Sequence, residues 1–324
     1  MSEQAQFKMV PCEGCGAKNF IPSSTPKFET VPCNECQHPV MMPVRLRHFE
    51  LRSVIASGGM GTVFRAFDTI LEREVAVKLL QKEFAQDPAS MAGFLREARA
   101  CAGLNHTHII HIHNFDECEG RKFLVMELSD HGSLDGRFEK EGRVDELLAL
   151  DVGIKIASAL DTSYRHGLLH LDVKPGNILF NAENEPKLVD FGLAKRVGEK
   201  SNPDEGLMGT PFYIAPERVE FQREDFRSDM YSLAATLYHV VTGQVPFDAK
   251  DVDGAEDVNG VAMAHVHEPL TPPNEIFPTL SKETNDAIVR AMAKDPAKRF
   301  PSYDEFIMAL TAARSRLLVK RFSR

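Results

Sequence analysis

His170-Leu171-Asp172-Val173-Lys174-Pro175-Gly176-Asn177, followed eighteen positions after Asp172 by Asp190-Phe191-Gly192, is the stretch from which the rest of the chain can be read. A carboxylate at Asp172 can accept or orient a hydroxyl proton, and Lys174 can neutralise a phosphate. Asn177 and Asp190 offer hard oxygen ligands suited to magnesium. Few other chemistries need this set of groups, so the two segments form a candidate phosphoryl-transfer site. Four unrelated polar loop residues would leave their joint spacing unexplained.

Working outward, residues 145–166 place Leu148, Val152, Ile156 and Leu160 at every fourth position, with Asp145 at the N-cap and Gly167 just past the end. That pattern predicts a buried helix delivering the chain into the 170–177 loop. Residues 49–80 alternate apolar and polar positions around Ile55-Ala56-Ser57-Gly58-Gly59-Met60-Gly61-Thr62-Val63, which predicts strand, glycine-rich loop and strand. Glycine there lets backbone amides approach a phosphate without side-chain obstruction. Val75-Ala76-Val77-Lys78 alternates as a strand, Phe94-Leu95-Arg96-Glu97-Ala98 lies in a helical stretch, and residues 123–128 form an apolar strand running into a polar turn.

The 324 residues suffice for a two-lobed catalytic domain with a small appendage, and 43% hydrophobic content is that of a globular protein. The sequence has no apolar run of the roughly 20 residues a membrane helix needs, and Met1 to Gln6 lacks a signal-peptide pattern, so a cytoplasmic location is expected. A formal net charge of -9 argues against a general nucleic-acid binder. Residues 313–324 are the local exception: Arg314, Arg316, Lys320, Arg321 and Arg324 form a basic C-terminal tail, read as the solvated end of the last helix.

Four of the six cysteines fall as Cys12-x2-Cys15 and Cys33-x2-Cys36, with seventeen residues between the pairs. This spacing predicts a four-thiolate zinc site, each pair forming a tight knuckle, with Gly16 supplying the positive φ such a turn needs. Phe7, Phe20, Ile21, Phe28 and Val31 are too few for a core, so metal would supply much of the folding energy. A disulfide pair is the alternative that an intracellular setting disfavours. His38 is a decoy ligand, and Pro39, Pro43 and residues 45–47 read as a linker. Such closed zinc sites are structural, which leaves open a docked protein or nucleic-acid partner.

The catalytic segments, Val75-Ala76-Val77-Lys78 and Gly209-Thr210-Pro211-Phe212-Tyr213-Ile214-Ala215-Pro216-Glu217 together resemble those of the bacterial eukaryotic-type serine/threonine protein kinases, over roughly residues 49–312. The resemblance implies an α+β, two-lobed protein-kinase fold with a small β-rich N-lobe and a larger α-helical C-lobe. A zinc ribbon and linker (1–44) would precede the kinase domain (45–312), and the basic tail (313–324) would follow it. It implies transfer of the ATP γ-phosphate to Ser/Thr hydroxyls of protein substrates in signalling, with two magnesium ions. Asp172, Lys174, Asn177, Asp190, Lys78 and Glu97 would be the catalytic set, Glu97 holding Lys78, and Asn177 and Asp190 holding magnesium. Ile55, Gly58, Gly59, Gly61, Val63, Ala76, Met126, Glu127, Leu128 and Leu179 would bind the nucleotide. Met126 would guard the adenine pocket, and the Glu127 and Leu128 backbones would bond adenine. His170 and Phe191 would stack with Ile112 and Cys101, Thr210 would bond toward Asp172 and Lys174, Glu217 would pair with Arg299, and Asp229 would brace the catalytic loop.

Two positions depart from the pattern. Ala56 stands where the family has its first loop glycine, and Leu171 where it commonly has the arginine that binds a phosphorylated activation loop. Between Phe191 and Gly209 the only hydroxyl side chain is Ser201, with Asp204 and Glu205 nearby. We therefore expect a loop held without phosphorylation. The alternative is a pseudokinase scaffold that binds nucleotide or partners without phosphotransfer, which Leu171 and Ala56 alone favour.

Overall fold

The structure is a computed structural model that describes residues 6–191, 193–199, 210–249 and 257–323; the side chains of residues 89, 96, 97 and 100 lie outside that set. Two compact units divide the chain, one of residues 1–96 and 111–128, the other of residues 97–110 and 129–324. As expected for an α+β kinase fold, the first is rich in strands and the second in helices.

The first unit begins with two antiparallel hairpins, β1 (Phe7–Pro11) with β2 (Lys18–Pro22), and β3 (Thr30–Pro32) with β4 (Pro39–Met41). It continues through β5 (Val44–Leu46), β6 (Phe49–Gly58), β7 (Gly61–Asp68) and β8 (Arg73–Leu80), then helix α1 (Lys82–Gln86) and the first part of α2 (Pro88–Ala102), whose residues from 97 on fall in the second unit, then β9 (Ile112–Cys118) and β10 (Arg121–Met126). Strands β5 to β10 build one antiparallel sheet in the order β5-β6-β7-β8-β10-β9. Alternation along β7 and β8 sends Phe64, Ala66, Val75 and Val77 into its core.

The segment read as a linker is structured. Val44 pairs with Leu51 and Leu46 with Phe49, so β5 is an added edge strand of the sheet, and Met41 at its approach is buried in the same core. Phe28 joins that core, its ring 5.9 Å from Phe64 and 4.6 Å from the Arg121 guanidinium. Strand pairing across a tight turn, and burial of Met41 in a core that reaches to Val125, override the local proline and arginine signals.

The second unit comprises α3 (Leu134–Glu141), α4 (Glu146–Arg165), β11 (Leu168–Leu169), β12 (Ile178–Phe180), β13 (Pro186–Leu188), β14 (Lys195–Arg196), α5 (Pro216–Val219), α6 (Phe226–Thr242), α7 (Val258–His267), α8 (Pro273–Ile276), α9 (Lys282–Ala291) and α10 (Tyr303–Phe322). Helix α4 is the one the sequence pattern predicts: Asp145 caps it by accepting from the Leu147 amide, and Val152, Ile156 and Leu160 are buried. Helix α6 is buried on nearly every face, as a central helix must be. Residues 313–322 are the end of the last helix, as the sequence reading has them. Helix α10 runs on to Phe322 with Ala313 and Leu317 buried, and Arg321 pairs with Asp145 at 2.6 Å and Arg316 with Glu283 at 2.5 Å. No helix among the described residues is long and apolar enough to cross a membrane.

Candidate active site

Strand β11 pairs with β14 and delivers His170; a 3-10 turn at Pro175–Asn177 then leads into the β12–β13 hairpin. Between them the backbone is held by buried groups. The two carboxylate oxygens of Asp229, on α6, accept the amides of His170 and Leu171 at 2.7 Å each. Burial pushes the Asp229 carboxyl up, against the pull of the two amides. Asp229 thus braces the loop as the kinase resemblance implies.

Asp172, Lys174, Asn177 and Thr210 converge. Asp172 Oδ2 lies 2.9 Å from Lys174 Nζ and accepts from Asn177 Nδ2, also at 2.9 Å. Lys174 Nζ donates to Thr210 Oγ1 at 3.0 Å, and Asn177 Nδ2 donates a second time, to the Asp172 carbonyl at 2.8 Å. With its amide nitrogen turned to Asp172, Asn177 has its side-chain oxygen left as an acceptor, which is what a magnesium ligand requires.

His170 ties this loop to the segment carrying Asp190. Its Nδ1 accepts from the Asp172 amide at 3.2 Å, so Nε2 carries the proton it donates to the Val189 carbonyl at 3.1 Å. The Val189 amide in turn donates to the Asn177 carbonyl at 3.0 Å. Asp190, held just beyond, is exposed and takes φ of +64°, a conformation aspartate tolerates better than most residues. The rings of His170 and Phe191 meet edge to face at 4.5 Å. Leu179 lies on β12 and bridges to Ser133. Gly192, Ser201, Asp204, Glu205 and Gly209 lie outside the described residues.

The first unit carries the other predicted groups except Glu97. Ala56 pairs with Val63 and Gly58 with Gly61, so the glycine-rich segment is a tight hairpin with Ile55 half-exposed at its base. A Cβ on Gly58 or Gly59 would meet nothing within 4 Å, but one on Gly61 would sit 2.3 Å from the Leu79 carbonyl oxygen. Gly61 is therefore demanded by the close approach of β8, while Gly58 and Gly59 face open space. Lys78 lies on β8 opposite Val63 and Leu124, its ammonium 5.6 Å from the Phe94 ring centroid. Ala76 is buried opposite Met126. Glu97 lies on the part of α2 that falls in the second unit, its side chain outside the described set. The Glu127 amide donates to the His111 carbonyl at 2.8 Å. Leu128 follows half-buried.

The four N-terminal cysteines form one cluster, all four sulfurs within 4.8 Å of one another. A tetrahedral zinc ion with Zn–S bonds of about 2.3 Å separates its sulfurs by about 3.8 Å. The Cys12–Cys36 and Cys15–Cys33 sulfurs are each 3.7 Å apart, far beyond the roughly 2.05 Å of a disulfide. The residues therefore fit zinc. Gly16 at φ +74° and Gln37 at φ +63° occupy equivalent places after the two knuckles and donate to Cys12 and Cys33 carbonyls. The backbone amides of Cys36 and Glu35 pull the Cys33 thiol down to about 6, while hydrogen bonds among the clustered thiols push Cys15 up.

Sequence reasoning missed two residues. Buried Asn19 spans both knuckles, donating to the Ala17 carbonyl and to Cys33 Sγ and accepting the Asn34 amide. Arg218 reaches the Leu171 carbonyl while paired with Glu224. Only tertiary contact identifies either.

The sequence pattern of the family described as "Protein kinase domain" matches residues 49–309. A serine/threonine-protein kinase PknA of Mycobacterium tuberculosis is 39% identical over 273 residues, 82% of this chain and 61% of its own length. A serine/threonine-protein kinase PknH of the same species is 34% identical over 268 residues, 82% of this chain and 42% of its own. A probable serine/threonine-protein kinase of Clostridium perfringens is 34% identical over 260 residues, 80% of this chain and 37% of its own. The chain thus spans between 37% and 61% of the length of these relatives.

Proposed function

The chain belongs to the protein kinase family, and on that premise we propose that it transfers the γ-phosphate of ATP to serine and threonine hydroxyls of protein substrates. The observation that carries this reading is the convergence of Lys174 and Asn177 on Asp172, with Thr210 on the far side of Lys174. Asp172 orients the substrate hydroxyl and takes its proton. Lys174, held between Asp172 and Thr210, faces the transferred phosphoryl group with a positive charge. Asn177 and Asp190 are the oxygen ligands for magnesium, and Lys78 holds the α and β phosphates. Magnesium with ATP supplies the charge neutralisation at the phosphates; the rest is positioning. The scaffold alternative has less in its favour, since the groups that chemistry needs are present in the chain.

The cysteine cluster is a structural zinc site in this reading, and the activation loop works without phosphorylation. Leu171 supports the second point, because its side chain is 2% exposed and apolar and cannot receive a phosphate. The test of the activity is transfer of labelled phosphate from ATP to a generic basic protein, with magnesium. Asp172→Asn should lose about 10²- to 10⁴-fold in rate, the usual worth of a positioned acid–base group, and Asp190→Asn should lose metal-dependent transfer. Transfer by Asp172→Asn at the wild-type rate would overturn the assignment.

A further inference from the structure

We propose that Arg218 and Glu224 are an internal anchor for the catalytic loop, replacing the phosphorylated activation-loop residue that a family member with arginine at position 171 would use. The proposal rests on the phosphotransfer reading above and names its regulation.

The peptide joining Leu171 to Asp172 is bonded at both ends. Its N–H, on Asp172, donates to His170 Nδ1 at 3.2 Å, and its carbonyl, on Leu171, accepts from Arg218 Nη1. Leu171 adopts φ of +63°, which a bulky residue leaves readily unless its surroundings hold it there. Asp229 holds the amide side of that residue, and Arg218 holds the carbonyl side. The Arg218 guanidinium is itself fixed, with Nε 3.0 Å from Glu224 Oε1 and side-chain exposures of 11% and 4%. Arg218 follows Glu217 on α5, and Glu217 is locked to Arg299 at 2.7 and 2.8 Å. A continuous series of bonds therefore runs from Arg299 through α5 to the backbone that aims Asp172. In a kinase with arginine at position 171, that cationic side chain needs an added phosphate to be held. Here the cation comes from Arg218 and its counter-anion from Glu224, both encoded in the chain, so the anchor is always made. Arg218 acts through the Leu171 carbonyl and is a positioning residue.

The test uses the full chain as wild type, Arg218→Lys, Arg218→Met and the double variant Arg218→Met with Glu224→Gln, which leaves no orphaned buried carboxylate. We expect the double variant to stay folded, its melting temperature lowered by no more than one buried carbonyl without its donor costs, yet to lose about 10²-fold in kcat with KM for ATP unchanged, as a misaimed base would. Arg218→Lys should recover part of the loss, and phosphatase treatment should leave wild-type kcat unaltered. Wild-type kcat in the double variant would overturn the proposal, as would a large loss of wild-type activity on phosphatase treatment. If the wild type transfers no phosphate, the activity reading falls and the anchor is judged by amide hydrogen exchange over residues 170–173. Faster exchange in the double variant that is confined to residues 170–173 sustains the anchor; unchanged exchange there removes it.

Discussion

Replacing Arg299 by methionine should unfold the helical unit, and replacing Glu217 by glutamine should weaken it by less. Arg299 is fully buried, and its donors are all used. Nη1 and Nη2 bond the Glu217 oxygens at 2.7 and 2.8 Å, Nε bonds the Ala293 carbonyl at 2.8 Å, and the Arg227 and Lys294 carbonyls accept at 2.9 and 3.2 Å. Glu217 also accepts from Ser228 Oγ at 2.6 Å. Breaking a buried ion pair from one side costs about 3–5 kcal/mol, and each buried carbonyl left without its donor costs a further 1–3 kcal/mol or so. For Arg299→Met the sum reaches the roughly 5–15 kcal/mol by which domains are stable. Glu217→Gln keeps an acceptor for Ser228 and one for Arg299, so its cost stays near 3–5 kcal/mol, or about 6–20 °C in melting temperature for a unit of this size. Burial alone would push the Glu217 carboxyl up, but Arg299 and Ser228 outweigh it and hold it below the ordinary value. A carboxyl lowered on folding stabilises above its unfolded value and ceases to do so as pH falls through the folded one. The gap between wild type and Glu217→Gln should therefore narrow below about pH 4. The assay is thermal and urea unfolding by circular dichroism between pH 3.5 and 7. A Glu217→Gln shift under about 2 °C, or an Arg299→Met variant as stable as Glu217→Gln, would refute the reasoning.

Chelating the metal, or combining Cys12→Ser with Cys33→Ser, should lower the stability of the six-stranded sheet as well as the ribbon, because Met41 and Phe28 lie in the sheet's core. The expected loss is about 2–5 kcal/mol if Met41 leaves that core, read by urea unfolding alongside about one zinc per chain by elemental analysis; a metal-free chain of wild-type stability would contradict it. Gly61→Ala should cost about 1–3 kcal/mol by forcing β7 from β8, whereas Gly58→Ala and Gly59→Ala should melt with the wild type, and equal melting of all three would remove the packing argument. His265 is buried against Tyr231, its Nδ1 2.8 Å from the phenol oxygen, and burial pushes it down to about 3. Its neutral form is fully stabilising above about pH 6.5, and stability falls by about 1.4 kcal/mol per pH unit below that as the unfolded state gains the proton. His265→Gln should flatten the melting profile between pH 6.5 and about 4, and an unaltered slope would clear His265 of the effect.

The catalytic segments were legible because their chemistry constrains residue type and spacing directly. Asp172, Lys174 and Asn177 lie within one short loop, and His170 links that loop to the backbone before Asp190. The cysteine pairs were legible for the same reason, since a metal site demands two thiolates per knuckle. Helix α4 announced itself through a cap and a four-residue repeat, both local signals. Strand β5 did not, because a strand of 3 residues carries no pattern and exists by pairing with β6. The basic end of α10 read as the solvated end of the last helix, and α10 runs on to Phe322; its charge-dominated composition hid only that Ala313 and Leu317 are buried. Gly61 was read as a phosphate-loop glycine, and its demand for a missing side chain comes from a strand that approaches it from residue 79.

By itself, the sequence determined the family, the segments that meet in the candidate site and the four cysteines that cluster, since each depends on residue types at short spacing. Only the tertiary structure decided what holds those groups in place. Asn19 behind the thiolates, Met41 within the sheet and Arg218 behind Leu171 all act across long stretches of chain. Burial is the physical reason. A polar group such as Arg218 or Asn19 takes its role from the partner it meets away from water, and sequence spacing carries no record of that partner.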